Sequence, residues 1–212
     1  MSYLDTPTEA NAQGDVGRLY DADRARYGYV ANLTKVFALR PDVYDAWALL
    51  NTTIKAGMDL RRYELATLAA ARRLRSSYCA LAHGTVLHER FYDGPTLHKI
   101  AADHHHAGLD PVDVAIMNFA EKTAGDATSI TAAEVDTLRQ HGLSDIDIIQ
   151  VALAAAARCF FSTVLDAVGT EPDSQYRASM EPELQEVLTV GRPIATDESD
   201  GAAVPEAHQR DE

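Results

Sequence analysis

The most reactive side chains of the chain lie close together in the sequence, at Glu64, Cys79 and His83. Cys79 and His83 are four residues apart, so on a helix they lie on the same face. An imidazole in that position can accept the thiol proton or stabilise the thiolate, which is the reactive form of cysteine. Ser76 is expected to be the N-cap of this helix, with its hydroxyl accepting from the backbone N–H of Tyr78 or Cys79. Cys79 then lies in the first helical turn, where the helix dipole also favours negative charge.

Glu64 can reach His83 only if the chain turns back between them. On one continuous helix its carboxylate would lie about 22 Å from Cys79, at 1.5 Å per residue. The midpoint between Glu64 and His83 falls just before Ser76. We therefore expect one helix to end near residues 72–75 and the next to begin at Ser76. That arrangement places Glu64 opposite His83, where the carboxylate can orient the imidazole.

The elements around this stretch all carry helical signals, and they predict an all-α fold. Helix starts are indicated at Pro41, Asp59, Thr96 and Asp110-Pro111, with capping boxes at Thr131–Glu134 and Ser144–Asp147. The helix that begins at Thr96 is expected to run to His106. The segment from Ile146 to Val168 is apolar nearly all round, interrupted mainly by Arg158 and Asp166, which is typical of a central helix or a subunit interface. We find no alternating β-branched run bounded by hairpin turns.

Composition limits the class of protein. Acidic residues outnumber basic ones by 32 to 19 in 212 residues, a formal net charge of −13, which argues against nucleic-acid binding. No apolar run approaches the roughly 18–20 residues of a membrane span, and no signal pattern is visible at the N-terminus. We therefore expect a soluble cytoplasmic protein that does not bind membranes. The two cysteines, Cys79 and Cys159, do not suggest a disulfide scaffold.

The chain is expected to form one domain with dissimilar ends. Residues 1–26 are polar and irregular in pattern, and residues 27–190 carry the helical signals. Residues 191–212 are read as a disordered acidic tail, because they are too polar to offset the entropy lost on ordering.

Three adjacent histidines, residues 104–106, do not predict a metal site. Consecutive helical residues point about 100° apart, so three in a row cannot share one ion, and we expect a solvated helix end before Gly108. Neither a G-x-G-x-x-G nor a G-x-x-x-x-G-K-[ST] motif occurs, so no cofactor is expected.

Other candidates are expected to be structural. Ser76 is a cap rather than a nucleophile, and Tyr78 and Trp47 are packing residues of the pocket or core. Cys159 is expected to be a buried thiol that behaves as a small hydrophobe, with a minor alternative as a resolving cysteine. The arginines of residues 72–75 are read first as solvated charge or subunit salt bridges, and second as attraction for an anionic substrate.

The spacing of Glu64, Ser76, Cys79 and His83 resembles a known signature, Glu-x11-Cys-x2-Cys-x3-His, with serine at the first cysteine position. It is the signature of the alkyl hydroperoxidase D / carboxymuconolactone decarboxylase superfamily. Further similar segments are residues 28–33 (Gly-Tyr-Val-Ala-Asn-Leu), residues 40–43 (Arg-Pro-Asp-Val) and the two helices predicted over 131–143 and 144–169. The resemblance covers residues 27–172.

The resemblance implies an all-helical fold that forms homo-oligomers: trimers, hexamers or dimers. It implies that Cys79 is the peroxidatic nucleophile, His83 its base and Glu64 an acid that acts through a relaying water. Ser76 stands at the resolving position, where a hydroxyl cannot form a disulfide. A two-cysteine cycle within the motif is therefore excluded, and a one-cysteine cycle needs an external thiol reductant.

Three functions remain open from the sequence. The leading hypothesis is an antioxidant peroxidase that reduces hydrogen or organic peroxides through Cys79. The second is a carboxymuconolactone decarboxylase-type lyase or isomerase, in which His83 and Glu64 transfer protons on a small organic acid and the cysteine is dispensable. The third is a non-enzymatic oligomer that senses oxidants or binds a ligand.

Overall fold

The computed structural model describes residues 2–196, and every regular element in that part of the chain is helical. The helices are α1 (Gly14–Tyr27), α2 (Asn32–Phe37), α3 (Pro41–Ala56), α4 (Leu60–Arg73), α5 (Ser77–Arg90), α6 (Gly94–Ala102), α7 (Pro111–Asp126), α8 (Ala132–Gln140), α9 (Asp145–Ala167), α10 (Tyr176–Ser179) and α11 (Pro182–Leu188). Short 3₁₀ helices lie at Glu9–Asn11, His104–His106 and Ala127–Ser129. The all-α prediction is confirmed.

Helix α4 lies at the centre of the fold and packs against α5, α7 and α9. The Asp59 side chain caps it by accepting from the backbone N–H of Arg62 at 3.0 Å, as predicted. All residues from 63 to 71 are buried, and five of them are alanine or threonine. Such small side chains let neighbouring helices approach closely from several sides, so α4 can contribute polar side chains to the interior.

Helix α9 is, in the described part of the chain, the one helix long and apolar enough to cross a membrane by length and composition, so the expectation that no apolar run approaches that length was wrong for this segment. In the fold it packs against α7, α4 and α3, and about half of it is buried. Its role here is that of a core helix with one outer face. The two predicted capping boxes, at Thr131 before α8 and at Ser144 before α9, are both present.

The helix predicted over Thr96–His106 is interrupted at Asp103, so that prediction was wrong for its last four residues. Asp103 has an extended backbone (φ −157°, ψ 96°), and α6 ends at Ala102. The Asp103 carboxylate accepts from the backbone N–H of His105 and restarts the chain as a 3₁₀ turn. The short side chain of an aspartate can accept from nearby backbone N–H groups, and this competes with the hydrogen bonds of a continuing helix.

The described residues of the two predicted end segments, 2–26 and 191–196, have more regular structure and more tertiary contacts than expected. Although the sequence pattern of residues 1–26 is irregular, α1 packs Leu19 and Tyr20 against Val30 and Ala38 in a small second apolar cluster. Because α1 has so few apolar residues, its sequence shows no clear 3.6-residue period of hydrophobicity.

The tail predicted over 191–212 begins too early. Ile194 is buried in the main core, and the backbone N–H of Ala195 donates to the carbonyl of Pro172 at 2.9 Å. Residues 197–212, the rest of that prediction, lie outside the described residues.

Candidate active site

The chain reverses between α4 and α5 through a left-handed turn. The backbone N–H of Arg75 donates to the carbonyl of Arg72, and that of Ser76 to the carbonyl of Ala71, which together form a Schellman motif. Arg75 occupies the left-handed position with φ 57°. Ser76 is the N-cap residue of α5 by position, but its side chain makes no capping hydrogen bond. The predicted hydroxyl cap is therefore wrong, because the hydroxyl is fully buried and faces Asp166 of α9.

The reversal brings Glu64 and His83 together. Glu64 Oε2 lies 2.6 Å from Nδ1 of His83, and the two residues are 1% and 9% exposed. The expected pairing of the two side chains is confirmed as geometry. Their catalytic roles stay a prediction.

Two cations complete the surroundings of this pair. Lys55 Nζ of α3 donates to Glu64 Oε1 at 2.7 Å, and Arg158 Nη1 of α9 lies 3.2 Å from Nε2 of His83. Arginine has only donors, so Nε2 must accept, and the proton of the neutral imidazole is on Nδ1, donated to Glu64. Arg158 Nη2 also donates to Asn51 Oδ1 at 2.9 Å, and the Tyr63 hydroxyl donates to the same oxygen at 2.7 Å.

Charge and burial determine the protonation of the pair. Burial alone would raise the pKa of Glu64, but its hydrogen bonds with His83 and Lys55 outweigh burial, and the pKa lies below its ordinary value. Burial lowers the pKa of His83, Glu64 opposes that shift, and the positive charges of Arg158 and Lys55 add to it. At neutral pH the pair is therefore a carboxylate and a neutral imidazole.

Cys79 lies in the first turn of α5, one helical turn before His83, as predicted. It is 2% exposed and is a free thiol. No hydrogen bond joins Cys79 to His83 among the described residues, because both imidazole nitrogens are already engaged by Glu64 and Arg158. The proton transfer expected between the thiol and His83 therefore has no direct hydrogen bond in this arrangement.

His83 and Glu64 form part of the wall of a cavity of about 650 Å³. The other lining side chains include Arg26, Tyr27, Tyr29, Lys55, Glu89 and Tyr176. Cys79 is not among the lining residues. The acid–base pair thus faces a space large enough for a small organic molecule, and the thiol lies behind its wall.

Tyr78 holds the segment before α10 against the start of α2. Its hydroxyl forms a short hydrogen bond to Asp173 Oδ2 and accepts from the backbone N–H of Leu33 at 3.3 Å. Asp173 Oδ1 accepts from the backbone N–H of Asn32 at 2.7 Å. Tyr78 is 2% exposed and belongs to the main core, and its role as a packing residue stays a prediction.

Trp47 is also a core residue, stacked on Phe161 with ring centroids 4.9 Å apart. Cys159 is half-buried rather than buried, and burial raises the pKa of its thiol. His104 and His106 have different partners, Asn118 and Asp103 respectively. Within residues 2–196 no group of histidine, cysteine or acidic side chains is arranged to hold a metal ion.

The sequence missed three residues that touch the pair or its neighbours: Asn51, Lys55 and Arg158. The signal for Arg158 was present, since it is a charged residue in the middle of an apolar helix. Asn51 and Lys55 are polar residues of α3, and the sequence around them does not distinguish them from surface residues.

Sequence comparison identifies no relative: no family model matches the chain, and no curated protein matches it.

Comparison of structures does find relatives. The alkylhydroperoxidase AhpD core, an uncharacterized peroxidase-related protein from Ralstonia eutropha JMP134, superposes with a TM-score of 0.73 at 21% identity over 90% of this chain and 98% of that one. An uncharacterized peroxidase-related protein from Silicibacter sp. TM1040 gives 0.74 at 21% identity over 82% and 93%. The debrominase Bmp8, in complex with 2,3,4-tribromopyrrole, gives 0.70 at 14% identity over 87% and 97%.

These matches span nearly the whole length of each relative, so the similarity concerns the complete domain and not one motif. At such identities they establish the fold alone. The chain therefore has the alkylhydroperoxidase AhpD fold, which confirms the fold expected from the spacing of Glu64, Ser76, Cys79 and His83.

Proposed function

We propose that the protein is a thiol-dependent oxidoreductase that reduces hydrogen or organic peroxides through Cys79. The observation that carries the proposal is the buried Glu64–His83 pair at the wall of a cavity, one helical turn from a cysteine in the first turn of a helix. His83, one helical turn away, can accept the thiol proton during the reaction. The peroxidase-related proteins among the structural relatives agree with this chemistry.

The reaction is a one-cysteine cycle. His83 takes up the thiol proton at Nε2, through a water or after rotation of a side chain, and the sulfur attacks one oxygen of the peroxide. The S–O bond forms, the O–O bond breaks, and the proton goes to the departing oxygen, which leaves as water or an alcohol. Cys79 becomes the sulfenic acid.

An external thiol completes the cycle. It condenses with the sulfenic acid to give a mixed disulfide and water, and a second thiol then releases the Cys79 thiol and a disulfide product. Ser76 cannot replace the first of these thiols, because its hydroxyl forms no disulfide.

A second candidate is proton transfer by Glu64 and His83 on a small organic acid, without the cysteine. One observation favours it: His83 and Glu64 line the cavity, whereas Cys79 does not and is 2% exposed. An enzyme of this kind would retain its activity when the thiol is removed.

The test is to treat the protein with one equivalent of cumene hydroperoxide in the presence of dimedone, followed by peptide mass spectrometry. We expect the sulfenic acid adduct on Cys79. The Cys159→Ala variant is the matched control, since it removes the other thiol and is expected to leave the adduct yield unchanged.

Turnover separates the candidates. With an excess external dithiol, the wild type is expected to consume peroxide and Cys79→Ser is expected to lose that activity. Stoichiometric oxidation without turnover indicates an oxidant sensor. A Cys79 thiol that stays unmodified in excess hydroperoxide would contradict the proposal and leave proton transfer as the better function.

A further inference from the structure

Arg158 is a buried cation that has no ion-pair partner within residues 2–196. Its residue is 5% exposed, and no carboxylate of residues 2–196 lies within ion-pair distance of its guanidinium. Its Nε is buried and has no hydrogen-bond partner in that part of the chain. A buried charge that is not paired destabilises the fold, so its presence points to a function for that side chain.

The guanidinium is held in place on three sides. It lies over the ring of Trp47, 4.9 Å from the centroid, and 5.3 Å from the centroid of Phe161. Nη2 donates to Asn51, which leaves Nη1 directed at Nε2 of His83. Stacking on aromatic faces is a favourable environment for a guanidinium and restricts its rotation.

We propose that Arg158 is the positioning residue of His83: it directs a permanent positive charge at Nε2, keeps the resting imidazole neutral and disfavours the imidazolium. The effect of Arg158 on catalysis rests on the proposed function, whereas its effect on the protonation of His83 does not. In that reaction His83 holds the proton of Cys79 only transiently. A neighbouring guanidinium destabilises that protonated state and so promotes transfer of the proton to the departing oxygen.

Several charged or titratable groups face His83 besides Arg158, and the inference must be separated from their effects. They are Glu64 and Tyr63 of α4, Lys55 of α3, Cys79 and Glu89 of α5 itself, and Arg26 and Tyr176 across the cavity. Glu64 favours the imidazolium, and it remains in every variant proposed below. Lys55 acts like Arg158, but it is 40% exposed and is paired with Glu64, so water screens its charge.

The test is ¹⁵N NMR of the protein with labelled histidine, which reports the protonation of each ring nitrogen without any turnover. The chain has eight histidines, and His83→Gln identifies the signal of His83 by its loss. In the wild type we expect a neutral His83 at pH 7, protonated on Nδ1, with a pKa below the ordinary 6.5. A wild-type His83 that is protonated on Nε2, or that titrates at or above 6.5, overturns the inference even if no variant folds.

Arg158→Met keeps the apolar stem on Trp47 but removes the charge. We expect the pKa of His83 to rise by about one unit, and Arg158→Lys to restore most of the wild-type value. Arg139→Met removes an exposed arginine that pairs with Asp136 and Asp145, and it is the charge control. Equal His83 titration in Arg158→Met and wild type contradicts the inference.

The rate of Cys79 oxidation against pH gives the second readout. We expect its acid limb to move to higher pH in Arg158→Met and to remain in place in Arg139→Met. If Cys79 is inert in the wild type but His83 shifts as expected, the proposed function fails and the role of Arg158 at His83 stands.

Discussion

At the scale of single residues, Glu64 is the acid on which the site depends. It is 1% exposed and yet ionised, because Lys55 and the Nδ1–H of His83 each donate to one of its oxygens. A carboxylate buried without such donors would be protonated. The hydrogen bond from Lys55 holds the carboxylate, and the hydrogen bond from Nδ1–H orients the imidazole on that side.

Replacing Glu64 by glutamine tests this dependence. The amide oxygen can still accept from His83, but the negative charge that favours an imidazolium is lost. We expect the rate of Cys79 oxidation at pH 7 to fall by roughly 10²-fold, the usual size of a general acid–base contribution. Quenched-flow trapping of the sulfenic acid with dimedone measures this rate.

Glu89→Gln is the matched control for that experiment. Glu89 lines the same cavity but has no hydrogen bond to His83 within the described chain, so its rate is expected to stay near that of the wild type. Equal losses in the two variants would mean that Glu64 contributes only charge to the cavity.

The residue pair could be predicted from the sequence, whereas its cations could not. Glu64 and His83 follow from local spacing and one helix reversal. Arg158 comes from 75 residues further along the chain, and its approach depends on how α9 packs on α5, which no local pattern encodes. Ser76 shows the opposite limit, since its position was right but burial against α9 removed its capping hydrogen bond.

At the scale of elements, the turn between α4 and α5 depends on a strap formed by the residues after α11. The backbone N–H of Gly191 donates to Ser77 Oγ at 2.7 Å. A Cβ on Gly191 would lie 1.9 Å from the carbonyl oxygen of Arg75, which is backbone and cannot move aside. The strap therefore holds the start of the helix that carries Cys79.

Gly191→Ala is expected to destabilise the protein by at least about 2 kcal/mol, because the methyl group overpacks against the main chain. For a domain of this size that loss lowers the midpoint of thermal unfolding by about 4–8 °C. Differential scanning calorimetry measures the change.

Gly17→Ala in α1 is the control for that variant, since its nearest contact is the carbonyl oxygen of Ala12 at 3.3 Å and alanine favours a helix. An equal change in the two variants would show that Gly191 has no special contact.

Tyr78→Phe probes a second connection between elements. Removing the hydroxyl leaves the buried carboxylate of Asp173 and the backbone N–H of Leu33 without that partner. We expect a loss of about 2–3 kcal/mol in the free energy of unfolding, measured by urea titration.

Tyr92→Phe is the control. The hydroxyl of Tyr92 accepts from Arg61, and its removal is expected to cost less, because Arg61 keeps its ion pair with Asp113. A larger loss in Tyr92→Phe would contradict this assignment.

Most elements could be predicted because their ends carry strong local signals, such as the capping boxes of α8 and α9. The errors lie where tertiary contacts decide. Helix α1 has only three buried residues, Leu19, Tyr20 and Asp23, and Ile194 is ordered by the core it enters. Neither the packing of α1 nor the burial of Ile194 produces a periodic pattern of apolar residues in the sequence.

At the scale of the whole molecule, α3 and α9 present an apolar outer face. Its exposed side chains are Leu49, Leu50, Ile146, Ile149, Leu153 and Phe160, each at least 41% exposed. An apolar groove of about 460 Å³ lies between the two helices, lined in part by Leu50, Leu153 and Phe160. Large apolar patches on a soluble protein usually mark an interface. This face is directly behind Arg158 and Trp47, so association here would also exclude water from the site.

We therefore expect the protein to form homo-oligomers through this face, and Ile149→Glu with Leu153→Glu to dissociate them. Each copy carries a formal net charge of −13, so the copies repel and the apolar contact must exceed that repulsion. Added salt screens the repulsion and is expected to strengthen association of the wild type. Light scattering after size exclusion gives the mass at low and high salt.

The control is the double variant Ala133→Glu with Gln140→Glu. Both residues are exposed on α8, so this variant adds the same charge away from the face and is expected to remain associated. A wild type that is monomeric at every salt concentration would contradict association through this face. A control that dissociates equally would show that charge, and not this face, governs assembly.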